Sequence, residues 1–133
     1  MGGPSSSLAK PASAQAYDVI RRRTLAATVV KARHRLVLHY NPLGSVHGGI
    51  AATLLDSVMG CCIHTTLKAG TGYTTVEIKV NYIRAMTDKT GQVRAEGKVI
   101  NVGARIATSE GRLVDAAGKL LAHGTTTCLV FPI

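Results

Sequence analysis

The chain has 133 residues, 46% of them hydrophobic and 17% charged, a composition that fits one globular domain and excludes disordered, collagen-like and solenoid architectures. At this length folding buries roughly two-thirds of the surface the unfolded chain exposes, so a core needs neither disulfides nor metals. With Phe131 as the single Phe, no Trp and four Tyr, that core is aliphatic. The formal charge of +9 is uneven: residues 1–40 carry Lys10, Arg21, Arg22, Arg23, Lys31, Arg33 and Arg35 against Asp18, a balance of +6, and the remainder carries +3. A basic balance attracts an anionic or phosphate-bearing ligand. The basic run has no interleaved aromatics on which bases could stack, so no nucleic acid partner is expected.

Residues 1–13, with Gly2, Gly3, Pro4, three consecutive serines and Pro11, read as a loose tail. Over residues 14–30 the uneven recurrence of Tyr17, Ile20, Thr24 and Val29 predicts a helix at the start and leaves the stretch after Arg23 undefined. The first 35 residues are rich in Arg and Ser and nearly free of acids, a pattern shared by organelle transit peptides and ordinary basic helices. Residues 35–40 alternate as a short strand, which Asn41, Pro42 and Gly44 end.

Residues 50–67 follow His47, Gly48 and Gly49; eleven of these eighteen are apolar and Asp56 is the one charge. They predict a helix of about 27 Å at 1.5 Å per residue. Thr53, Asp56, Ser57, Gly60 and His64 fall on one narrow polar stripe, so the rest of the helix must be wrapped. Four alternating strands supply the wrapping. Residues 75–83 place Val76, Ile78, Val80 and Tyr82 inward, with Thr75, Glu77, Lys79 and Asn81 outward. Residues 92–99 place Val93, Ala95, Gly97 and Val99 inward, and residues 105–115 and 119–131 complete the set. The expected class is α+β, one long central helix enclosed by a curved antiparallel sheet.

Cys61, Cys62 and Cys128 lack metal-ligand spacing and read as reduced thiols of a cytoplasmic protein, serving as small core residues; no metal and no cofactor is expected. No apolar run approaches the ~18 residues of a membrane span, and no secretory signal is visible. Two glycines that open a long helix leave free N–H groups at its positive end, suited to a developing negative oxygen. Asp56 reads either as a solvated member of the polar stripe or as a base or nucleophile in a cavity. His47 reads as a helix-entry residue or as part of that site.

The run Asn41-Pro42-Leu43-Gly44-Ser45-Val46-His47-Gly48-Gly49, then Leu55-Asp56 and Gly60, then Thr75 on a strand that ends Asn81-Tyr82-Ile83-Arg84, resembles the hotdog-fold acyl-CoA thioesterases of the phenylacetic acid degradation type. The resemblance covers residues 35–131. It implies a hotdog domain at residues 33–133, preceded by a tail and possible helix at 1–32. It implies hydrolysis of a small aryl or medium-chain acyl-CoA to acid and CoA in a homodimer or homotetramer whose sites lie between chains. By the same resemblance the Gly48 N–H is the oxyanion donor, with Asn41 and His47 orienting the thioester. Asp56 of the other subunit is the catalytic carboxylate, and Thr75 holds the attacking water, with Thr74 as the alternative one residue away. Arg84, then Lys89 and Arg105, are the candidates for the CoA phosphates. Alternative readings are a hotdog dehydratase and a non-catalytic acyl-CoA-binding hotdog protein.

Overall fold

A computed structural model describes residues 40–133 in full, together with the backbone of residues 18–22 and 25–29. The elements are β1 (Asp18–Arg22), β2 (Leu25–Val29), α1 (Gly48–His64), β3 (Thr71–Tyr82), a 3₁₀ turn (Asp88–Thr90), β4 (Val93–Val102), β5 (Ile106–Asp115) and β6 (Leu120–Pro132). The last four strands form one antiparallel sheet in the order β3-β6-β5-β4, with α1 packed across it. This is the wrapped-helix architecture expected from the sequence.

The helix predicted at the start of residues 14–30 is corrected where it is described: residues 18–22 form β1, which pairs antiparallel with β2, Arg22 opposite Leu25, as a separate hairpin whose β2 lies beside β4, while residues 14–17 lie outside the described residues. Val19, Ile20, Thr28 and Val29 are β-branched and lose χ1 freedom in a helix but not in a strand. Their spacing never closed a helical face. The strand predicted at 35–40 lies outside the described residues except for Tyr40, which makes an isolated bridge to Val46.

Leu55, Val58, Met59, Cys62 and Ile63 of α1 are fully buried, and Val93, Ala95, Ala107, Leu113 and Cys128 meet them from the sheet. Two polar side chains paired across β5 and β6 are buried and both are satisfied: Ser109 donates to the Met59 carbonyl at 3.0 Å and Thr126 to the Glu77 carbonyl at 2.8 Å. Helix and sheet approach closely at Gly97, where an added Cβ would sit 2.6 Å from the Val58 carbonyl oxygen. That contact is backbone and cannot swing aside. Gly97→Ala is therefore expected to destabilise the fold by about 1–3 kcal/mol, read as a lower denaturation midpoint, through overpacking.

β3 departs from its predicted alternation. Its register with β6 shifts between Thr75 and Glu77, a bulge at Val76. The bulge inserts one extra residue, which changes which parity faces the helix. Tyr73 and Thr75 before it, and Val80 and Tyr82 after it, all meet α1 or the core around it. Thr75, expected outward, thus reaches the helix. Val76, expected inward, is 58% exposed. Tyr82 is on the helix side but 57% exposed, because β3 is the edge of its sheet among the described residues.

Candidate active site

α1 carries two clusters of functional residues, one at its start and one at its middle. At the start, Asn41 builds the entry loop: its Oδ1 accepts the Leu43 and Ser45 N–H groups at 3.0 and 3.2 Å, and its Nδ2 donates to Ser45 Oγ at 3.0 Å. Val46 N–H then donates to the Met86 carbonyl at 2.8 Å, fixing the loop beside the chain that leaves β3. His47 is the N-cap, its Nδ1 accepting the Gly49 N–H at 2.9 Å. This satisfies one helix-end donor and leaves Gly48 N–H, the first amide of α1, without an acceptor among the described residues.

Gly48 opens on a pocket of about 270 Å³ lined also by Ser45, Tyr82, Arg84 and Met86. The ring of Tyr82 lies against it: a Cβ at Gly48 would come within 3.1 Å of Tyr82 Cζ. The sequence reading assigned Tyr82 only to the core. Arg84 donates from Nη1 to the Leu120 carbonyl at 2.6 Å, which holds the guanidinium at this end of the sheet.

At the middle of α1, Thr75 Oγ1 donates to Asp56 Oδ1 at 2.9 Å across the space between β3 and the helix. The pair lies in an open groove of about 450 Å³ lined by Asp56, Ser57, Cys61, Tyr73, Thr74 and Thr75. Both threonines line it, but the hydroxyl on Asp56 is that of Thr75. Of the predicted stripe, Thr53 and His64 are exposed, Asp56 and Ser57 half-buried, and Gly60 buried under Tyr73. Tyr73, Ser57 and Cys61 were not singled out for this groove. The clue to Tyr73 was its position two residues before Thr75, on the same side of a strand.

Gly48 and Asp56 are eight residues apart on one helix, about 12 Å along its axis. One chain therefore does not bring them to a common atom. Lys89 is exposed in the 3₁₀ turn at the Arg84 end. Arg105 is exposed where β5 begins and accepts Val130 N–H through its carbonyl, roughly 25–30 Å from Arg84 along β6. Within a chain these cations do not form one cluster. Among the described residues, no three His, Cys, Asp or Glu side chains group as metal ligands, and no helix is long and apolar enough to cross a membrane.

Burial pushes the Cys61 thiol up, and the Asp56 charge beside it adds to the effect. Burial raises Cys62 further, to about 11, against a smaller lowering by its hydrogen bond with Ser109. Thiolates are disfavoured in both places. A thiol whose folded pKa is raised contributes stability that is complete below its unfolded pKa and lost as pH climbs to the folded value. For Cys62 that window runs from 9 to about 11. Thermal midpoints are expected to fall across this window, and less steeply in Cys62→Ala than in wild type.

The thioesterase superfamily model matches residues 43–122. The chain is 31% identical over 95 residues to a Halobacterium salinarum protein that carries an esterase name, a match to 69% of this chain and 61% of that one. It is 30% identical over 91 residues to mouse acyl-coenzyme A thioesterase 13, covering 67% of this chain and 63% of the mouse protein. The chain thus spans just over three-fifths of the length of these two relatives. Among solved structures, a Bacillus halodurans protein crystallised with CoA is 30% identical, with a TM-score of 0.68 over 78% of this chain and 70% of that chain. The wrapped helix, the His-Gly-Gly entry and the matched span agree: the chain belongs to the thioesterase superfamily and has its hotdog fold.

Proposed function

We propose that the protein is an acyl-CoA thioesterase, releasing free acid and CoA, and that each site is built from two chains. The observation that carries this reading is the Thr75–Asp56 hydrogen bond of 2.9 Å in an open groove. A carboxylate held by a hydroxyl beside open space is placed to take a proton from water or to attack directly. The Gly48 N–H at the positive end of α1 suits the oxygen on which negative charge develops. Since the two groups lie about 12 Å apart on one helix, a thioester meets both only if a second chain brings its Gly48 to the Asp56 groove of the first.

In this reading water adds to the thioester carbon as its proton passes to Asp56. The carbonyl oxygen becomes an oxyanion against Gly48 N–H, and collapse expels the CoA sulfur, which takes up the proton. Thr75 orients the water, and His47 and Asn41 hold the Gly48 loop in shape. Arg84 is the first candidate for the CoA phosphates, with Lys89 at the same end; Arg105 contributes only from another chain. Small aryl-acetyl groups, as in phenylacetic acid degradation, and then medium-chain acyl groups are the preferred substrates. A homodimer or homotetramer in the cytoplasm fits the exposed β3 edge and the reduced thiols. Residues 33–133 form the catalytic domain. The test is thiol release from a panel of acyl-CoAs: turnover of at least one member supports the reading, and binding without thiol release from any contradicts it.

A further inference from the structure

We propose that Tyr73 is the floor of the acyl half of the groove and sets the length of the acyl group accepted, which is a neutral one. This rests on the acyl-CoA thioesterase reading above and names the substrate class within it. Gly60 follows Asp56 by four residues, one turn along the same side of α1. A Cβ at Gly60 would lie 2.7 Å from Tyr73 Oη and 2.8 Å from Cε2. The phenol ring therefore rests directly on helix backbone that any other residue would cover. His64, one turn further, meets the same ring with centroids 5.4 Å apart and a tilt of 55°. Tyr73 also precedes Thr75 by two residues on β3, so strand and helix both step from the reacting pair to this ring.

Charge decides which end of the substrate faces the ring. Among the described residues that line the groove Asp56 is the one formal charge, with no cation beside it. Burial pushes the Cys61 thiol up, with the Asp56 charge second, and burial pushes the Tyr73 phenol up, with Cys61, Cys128 and then Asp56 as smaller causes, so both stay neutral beside the carboxylate. Such a groove repels phosphates and acyl carboxylates alike. Arg84 lines the Gly48 pocket instead, so the phosphate-bearing end belongs there. The acyl group is left with the Tyr73 end, where the ring stops it.

The test compares phenylacetyl-, butyryl-, hexanoyl-, decanoyl- and succinyl-CoA in the wild-type protein and three variants. Tyr73→Ala opens the floor and is expected to raise the decanoyl-to-butyryl ratio of kcat/KM about tenfold or more. Gly60→Ala pushes the ring into the groove and shifts the ratio the opposite way; it also favours the helix, so it carries the test if Tyr73→Ala does not fold. Tyr73→Phe keeps the ring and the wild-type profile. An unchanged ratio in folded Tyr73→Ala or Gly60→Ala overturns the inference, as does wild-type turnover of succinyl-CoA equal to that of butyryl-CoA. Wild-type protein inert across the panel removes the thioesterase reading and the inference together, whereas an active enzyme with an unshifted profile removes the inference alone.

Discussion

Asp56→Asn is expected to lower kcat by roughly 10²-fold or more, because the amide keeps the shape of the carboxylate but neither takes a proton nor attacks. The fold should survive. The Thr75 hydroxyl that donates to Oδ1 at 2.9 Å finds the same acceptor in the amide oxygen, and the half-buried charge that is lost has no cationic partner among the described residues that line its groove. Thermal midpoints measured beside kcat separate loss of chemistry from loss of structure. Near wild-type turnover in a folded variant would return Asp56 to a solvated stripe residue. Thr75→Ala is expected to cost less, about tenfold in kcat, since its hydroxyl orients a reactant without exchanging its proton. Thr74, which lines the same groove without bonding Asp56, should tolerate Ala.

The second large effect is expected at the other end of the helix. Gly48→Val puts a branched side chain where even a Cβ comes within 3.1 Å of the Tyr82 ring, and it crowds the Gly48 amide, which has no acceptor among the described residues. Removing an oxyanion donor typically costs 10² to 10³ in kcat, and a fall of about 10²-fold is expected here. The accompanying loss of stability should be modest, about 1–2 kcal/mol, because the half-exposed Tyr82 ring has room to move. A parallel loss of kcat in Tyr82→Ala would show that the ring, and not only the amide, shapes this pocket.

The helix and the four strands of the main sheet were legible because each carries a long, uninterrupted period, and the buried faces of β4 and β5 follow that period. The helix starts at Gly48 rather than Ile50, since a capping His47 side chain lets the glycines take helical geometry. β3 was legible as a strand but not as a surface. One bulged residue, Val76, reverses the parity that assigned Thr75 outward, and only the apolar shift from Tyr73 to Ile78 and Val80 hinted at it. Tyr73 was missed for the same reason: its partner, Gly60, lies thirteen residues back and declares itself only when strand and helix are packed. The β1–β2 hairpin was misread because residues 14–30 combine weak apolar spacing with β-branched side chains, and the choice between helix and strand was settled by packing beside β4.

The central claim is that Asp56 of one chain works with Gly48 of another. The most direct measurement is subunit complementation: Asp56→Asn and Gly48→Val chains, each inactive alone, are unfolded, mixed in equal amounts and refolded together. Random pairing makes half of the dimers mixed, each with one site that has both residues intact, so the account predicts about one quarter of wild-type activity. Activity no greater than the sum of the two variants alone, in a mixture whose subunits have exchanged, would contradict the shared site.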